Sequence, residues 1–167
     1  VVEQPVNLDD DIDAYYWPFL ISGLVGAWDL TETQATKLRE YLLRGGFLLC
    51  DSFYGTEEWD GFIEGMRRVF PGRPIVELPD SHPIFHAVYD LTDRPQIPTW
   101  QHLPNGGYRN DGATPYWRAI LDDDGRVIGV LQSAMPSAEW TRSHPALRSL
   151  IPLGGRIARL LVFLAGL

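Results

Sequence analysis

Four residues, Phe47-Leu48-Leu49-Cys50, constrain this chain more than any others. They form an unbroken apolar run between Gly45-Gly46 and Asp51-Ser52. A run too short for a helix and without polar alternation is the pattern of a strand covered on both faces, as inner strands of α/β sheets are. The double glycine before it is a helix stop. Upstream, Thr31 and Gln34 form a capping box, Leu30 can staple onto Ala35, and Ala35, Leu38 and Leu42 recur on one face. The spacing predicts a helix over 31–44. Downstream, Thr56 is read as the cap of a second helix over 57–70, with Glu57 and Glu58 in its first turn. Trp59, Phe62, Ile63, Met66 and Phe70 mark its inner stripe, and Pro71-Gly72 stops it.

Around this centre, residues 19–21 behind Pro18 read as a short buried strand, and 75–78 as the next strand after the second helix. Residues 117–121 and 127–131 flank Asp122-Asp123-Asp124-Gly125, a strong hairpin signal. Residues 90–115, rich in Pro, Gly and Asn, read as a long surface loop of the kind that is usually functional or mobile. Ser143 with Pro145 marks a helix start, and a final helix follows Gly154-Gly155. The expected architecture is one α/β domain over 1–167: three layers, a mostly parallel sheet with residues 47–50 in its middle, and an antiparallel hairpin extending it.

Charge narrows the partners. With 14 basic and 22 acidic residues the net charge is −8, which argues against nucleic acid, whose binding depends on basic surface. Residues 1–33 hold seven acids and no Lys or Arg, whereas from Arg126 onward five arginines face one acid, Glu139. The plain reading is two solvated faces that attract one another. The single cysteine rules out an internal disulfide framework. No membrane span is expected, because the apolar tail over 157–167 falls far short of the ~20 residues that a spanning helix needs. The chain starts at Val1 without Met, the pattern of a processed or trimmed piece.

Several chemical motifs fail on inspection. A nucleophile elbow needs small residues two before and two after the nucleophile. Cys50 has Leu48 and Ser52 there, and Ser52 has Cys50 and Tyr54, so Cys50 is expected to be a packed strand residue. Asp9, Asp11 and Asp13 fit the start of a calcium loop, but Ala14 and Leu20 stand where Gly and Glu are required. No phosphate-cradling glycine pattern occurs, and no cofactor is expected. His82 and His86 have the spacing that places two imidazoles on one helix face, but Pro83 argues against a regular helix there. Histidines bracing a loop to the sheet edge is the larger expectation, and no metal site is assigned.

With these residues in view, the chain resembles a bacterial family known as domain of unknown function 4159. The resemblance rests on Trp17-Pro18-Phe19-Leu20-Ile21, the run from Leu38 to Leu49, Asp51 with Tyr54-Gly55, Glu57-Glu58-Trp59, Met66 to Pro71, Val76 to Asp80, His82 to His86, Gln96-Ile97-Pro98 and Asp122 to Arg126. It implies a flavodoxin-like, class I glutamine amidotransferase-like fold, with members often exported or associated with the cell envelope. It implies no reaction. The chain departs from the family at 133–141, where an acidic motif is reduced to Glu139 and Trp140. The strand and helix that usually precede the acidic N-terminal segment are also not visible.

The leading expectation is a non-catalytic ligand- or partner-binding module of the bacterial envelope, periplasmic or envelope-associated. Its partner would be a small ligand or a protein, and the oligomeric state is open. The alternatives are a hydrolase with Asp51, His82, His86 and Glu139 as acid–base groups, or a metal or small-ligand sensor. Ligands of open α/β sheets bind where strands end. Asp51, Ser52, Tyr54, His82, His86, Glu139 and Trp140 are therefore expected to border one pocket, with the 90–115 loop above it.

Overall fold

The computed structural model describes residues 4–51, 53–87, 90–91 and 108–132, with the backbone alone at 130–132. Its sheet has five strands: β1 (Phe19–Ser22), β2 (Phe47–Cys50), β3 (Ile75–Glu77), β4 (Trp117–Leu121) and β5 (Val127–Gln132). They lie in the order β1-β2-β5-β4-β3. β2 pairs in parallel with β1 and β5, while β4 runs antiparallel to both β5 and β3. The sheet is therefore mixed, which corrects the expectation of a mostly parallel one. The physical reason lies in the hairpin. The apolar β5 takes the inner place beside β2, with Leu48, Leu49 and Cys50 opposite Gly129, Val130 and Leu131. That leaves the short, half-buried β3 at the far edge.

β2 behaves as its composition requires. All four residues are buried, Cys50 completely, and burial pushes its thiol well above the ordinary range, with Asp51 adding to the effect. β1 is an edge strand with Ile21 62% exposed, so residues 19–21 are not the buried strand expected from sequence. Two helices follow the expected pattern more closely. Helix α1 (Glu32–Leu43) starts at Thr31 with the capping box formed, and it buries Ala35, Leu38, Tyr41 and Leu42. Each buried leucine there contributes roughly 1.5–3 kcal/mol. The Tyr41 ring lies against Gly46, and its hydroxyl donates to the Phe47 carbonyl and accepts from the Phe47 amide, both at 3.3 Å. Burial raises that phenol to about 12.

Helix α2 (Gly55–Val69) buries Phe62, Gly65, Met66 and Val69. It begins one residue before Thr56, with Tyr54 at the N-cap position and no side-chain cap from it, which corrects the assignment of Thr56. A short 3-10 turn (Val25–Ala27) packs on it so closely that a Cβ on Gly61 would collide with the Gly26 carbonyl. Arg39 reaches from α1 to the Val69 and Arg68 carbonyls at the end of α2, joining the two helices.

The sheet has two unlike faces. Leu48, Cys50, Ile120 and Ile128 form one core with α1 and α2. On the other face Phe47, Leu49, Trp117 and Ala119 pack against Leu78, Ile84 and Phe85. Among the described residues both helices thus lie on one face, and a 3-10 turn (Pro83–Phe85) with its flanks covers the other. The expected helix starts at Ser143 and after Gly154 lie outside the described residues. The hairpin turn is held by Asp122, whose carboxylate accepts from the Asp124 and Arg126 amides and from Arg126 Nε.

Candidate functional site

The first turn of α2 leaves backbone N–H groups that need acceptors, as every helix start does. Tyr54 supplies none from its side chain, so the acceptors come from elsewhere. Glu58 reaches back to accept from the Tyr54 amide at 2.8 Å. Asp111, far along the chain, accepts from the Thr56 amide and the Thr56 hydroxyl, each at 2.8 Å. Those two bonds hold the Asp111 carboxyl below its usual range, the hydroxyl contributing most. Arg109 pairs with Glu58 at 3.1 Å, and Asn110 donates to the Tyr54 carbonyl and to Glu58. The approach is close because Gly55 has φ +74° and a Cβ there would collide with Asp111 Oδ1. Gly112 stands against the Gly55 amide in the same way, 2.8 Å from where its own Cβ would be.

This docking of residues 109–112 onto α2 walls a cleft of about 200 Å³ between Phe53, Thr56, Trp59, Asp111, Thr114, Tyr116 and Arg118. Arg118 is on β4, on the same face as Ile120, so its side chain emerges on the helix side of the sheet. Its guanidinium lies over the Trp59 ring at 4.0 Å and over the Tyr116 ring at 4.2 Å. Trp59 stacks in turn on Phe53, and Phe53 on Phe62. Each cation–ring contact is worth about 0.5–1 kcal/mol at an exposed site and more when desolvated. Among the described residues no carboxylate stands at ion-pair distance from Arg118. The cleft therefore offers a half-buried, ring-stacked cation on one side and an ionised carboxylate on the other.

A broader hollow of about 640 Å³ runs along α1 beside Asp11, Ile12, Tyr15, Lys37, Glu40 and Arg44, but it is shallow and its charges are already matched. Lys37 pairs with Asp11 at 2.8 Å and donates to the Asp9 carbonyl. Tyr15 donates to Glu40, and Arg44 lies over the Tyr15 ring. The acidic N-terminal stretch is thus held on α1. The cleft on α2 is the stronger candidate because, among the described residues, its cation makes no such ion pair.

The residues singled out from sequence divide into three groups. Asp51 and Tyr54 stand where β2 passes into α2, and neither lines the cleft. Tyr54 is buried, and burial, followed by the Asp51 and Glu58 carboxylates, raises its phenol. Ser52, Glu139 and Trp140 lie outside the described residues. His82 and His86 belong to the segment covering the opposite face of the sheet. β3 runs in the same sense as β2, so both strands end at one sheet edge, but β5 and β4 stand between them, a separation of about 14 Å.

Each histidine is used within its own segment. His82 caps the 3-10 turn by accepting from the Ile84 amide at 3.2 Å and meets Phe85 edge-on, and burial lowers its pKa. His86 bonds the Asp80 carbonyl at 2.8 Å and Asp90 at 3.0 Å, which raise its pKa in that order. Among the described residues no group of three His, Cys, Asp or Glu side chains is placed to hold a metal ion. No described helix is long and apolar enough to cross a membrane.

Sequence reasoning missed Arg118, Asp111 and Glu58. One signal was present: an arginine alternating with core residues on the inner face of a strand, as Arg118 does with Ile120, is rarely placed there without a ring or an anion to meet.

The match to the family described as Domain of unknown function (DUF4159) extends over residues 2–152, and the chain belongs to that family. No curated protein matches it.

Proposed function

We propose that this domain is a non-catalytic binding module whose ligand enters the cleft between the first turn of α2 and residues 109–118. The observation that carries the reading is Arg118: a half-buried guanidinium lying over Trp59 and Tyr116 in the cleft, with Glu77 as its cross-strand neighbour and no carboxylate at ion-pair distance among the described residues. A charged group held in place by rings is pre-organised, so little side-chain freedom is lost when a ligand binds. Tyr54 lies in sequence between Phe53 and Gly55, which line the cleft, and Asp51 two residues before Phe53, and we retain both as ligand-binding candidates. His82 and His86 fit a bracing role better, since both rings are engaged inside their own segment.

We place the domain in the bacterial cell envelope on the strength of the family resemblance. We also infer a distant kinship to class I glutamine amidotransferase-like, flavodoxin-type folds. The parallel β1–α1–β2 unit supports that kinship, and the antiparallel β4 and β3 depart from it.

The test of the binding reading is a fragment screen by ¹H–¹⁵N NMR on the chain. The expected result is saturable movement of the Trp59 indole and Thr56 amide signals by one class of fragment, with the Thr56 movement lost in Trp59→Ala. Fragments that move only the Asp11–Arg44 hollow of α1 would overturn it. Fractionation of cells carrying the full-length natural protein tests the envelope placement, and recovery in the cytoplasm would refute it.

A further inference from the structure

We propose that the group recognised in the cleft is a carboxylate carried by a larger ligand, received by the in-plane N–H donors of Arg118. The proposal rests on the reading of the cleft as the binding site and goes further by naming the ligand chemistry.

Three observations lead to it. The first is the presentation of the guanidinium. The Trp59 and Tyr116 ring centroids lie 4.0 Å and 4.2 Å from its Cζ, so the guanidinium is held against two rings, and its N–H donors lie in its own plane. A planar fork of N–H donors matches the two oxygens of a carboxylate or the oxygens of a phosphate. The second is the sign and number of charges. Arg118 is the one cation lining the cleft among the described residues, and Asp111 lines it too, its carboxyl kept ionised by Thr56. A singly charged anion satisfies Arg118 and can keep clear of Asp111, whereas a phosphate near neutral pH brings more negative charge against that carboxylate. The protein's net charge of −8 acts in the same direction. The third is size. About 200 Å³ is below the roughly 300–1,000 Å³ of pockets that enclose a whole small ligand. The cleft holds an end group, and the body of the ligand lies outside it. The Thr114 hydroxyl lines the cleft as a further neutral donor, while the Thr56 hydroxyl is engaged in donating to Asp111.

A carboxylate end group is found on peptide chains and on sugar acids, and the test separates the two sources. The chain is labelled so that the Arg118 Nε–H signal is observed together with the Thr56 amide, and it is titrated with four probes. These are N-acetyl-alanyl-alanine, the C-terminal amide of the same dipeptide, glucuronate and phenyl phosphate. The expected result is saturable movement of both signals by at least one carboxylate, with the tighter of the two identifying the source. The matched amide is expected to bind about tenfold or more weakly than the acid, the loss of one charged hydrogen-bond pair. Arg118→Gln is expected to remove the acid–amide difference. Should that variant fail to fold, the acid–amide comparison on the unaltered chain decides the matter alone.

Equal binding of acid and amide in the cleft would overturn the carboxylate while leaving the cleft as the site. Phenyl phosphate binding more tightly than both carboxylates would also overturn it and would assign the cleft to a phosphorylated ligand. Movement confined to signals away from Thr56, Trp59 and Arg118 would overturn the proposal and the site together.

Discussion

The two helices solve the same problem at their N-termini in opposite ways. α1 closes its first turn within four residues: Thr31 Oγ1 accepts from the Gln34 amide at 3.2 Å, and Gln34 Oε1 accepts from the Thr31 amide at 3.0 Å. α2 has no such pair. Its first turn is completed by Glu58 from within and by Asp111 from 55 residues away. The α1 cap is complete in itself, although Gln34 Nε2 also donates to the Asp9 carboxylate at 3.1 Å. A borrowed cap ties a distant loop to the helix, and here that tie walls the cleft beside Arg118. The difference teaches where to look for function in this fold: at the helix start that the local sequence leaves incomplete.

The seating of α2 should be the least tolerant feature of the pair. α1 packs through side chains, whereas α2 lets the Gly26 carbonyl approach the Cα of Gly61 directly. Gly61→Ala therefore forces backbone apart and is expected to cost about 3 kcal/mol, even after the ~1 kcal/mol that alanine adds to helix propensity. Urea unfolding measures this. A loss below about 1 kcal/mol would show that the contact relaxes and that the two helices are seated alike.

Next in size is the glycine at the start of α2. Gly55→Ala combines a left-handed backbone, φ +74°, with a collision against Asp111, and about 2–3 kcal/mol of destabilisation is expected. Gly45 ends α1 with φ +106° but has only Arg126 Nη1 nearby, at 3.7 Å, so Gly45→Ala should cost the backbone strain alone, about 1–2 kcal/mol. The sharper readout is spectral. Gly55→Ala should shift the Trp59 indole and Arg118 Nε signals, and Gly45→Ala should leave both in place. Equal disturbance of the cleft by both variants would break the comparison.

A smaller effect belongs to the local cap. Thr31→Ala removes one acceptor from α1 and should cost about 1 kcal/mol, with no change at Trp59, Tyr116 or Arg118. Thermal unfolding together with the same NMR signals checks it. Movement of the cleft signals in Thr31→Ala would mean that α1's cap is not local in its consequences.

These contrasts also explain what could be read from the sequence. The capping box at Thr31, the buried run at 47–50 and the Asp122–Gly125 turn are all closed by residues a few positions apart, and each formed as expected. Strand order depended on which strand took the place beside β2. Residues 75–78 have no local feature to reveal that the later hairpin would fill that place. The start of α2 was misplaced for the same reason, since its cap is Asp111. Asp51 and Tyr54 were singled out because they follow a strand that sequence identifies. The Arg118–Trp59 contact joins β4 to α2, and no periodicity within either element encodes it. His82 and His86 drew attention by spacing, and their partners Ile84, Asp80 and Asp90 show how a metal-like interval arises from a braced turn.

The smallest expected effect is also the most selective, because the two caps differ in whether they titrate. Thr31 and Gln34 are neutral, so the capping pair of α1 itself has no proton to gain. Asp111 is held below its ordinary value of 3.8 by the Thr56 hydroxyl first and the Thr56 amide next. A carboxyl depressed in the folded state stabilises the fold fully above its unfolded value and loses that contribution as pH falls through the folded one. The first turn of α2 should therefore be unchanged from neutral pH to just above 3.8 and should weaken below it, while the reciprocal Thr31–Gln34 pair stays formed. Following the Asp111 carboxyl carbon and the Thr56 and Gln34 amides by NMR from pH 6 downward gives the comparison directly. The expected outcome is a midpoint for Asp111 under 3.8, with Thr56 moving in step and Gln34 still. Asp111→Asn should abolish the Thr56 step. A midpoint at or above 3.8, or a Thr56 signal indifferent to Asp111, would mean that the loop merely lies near α2 and does not cap it.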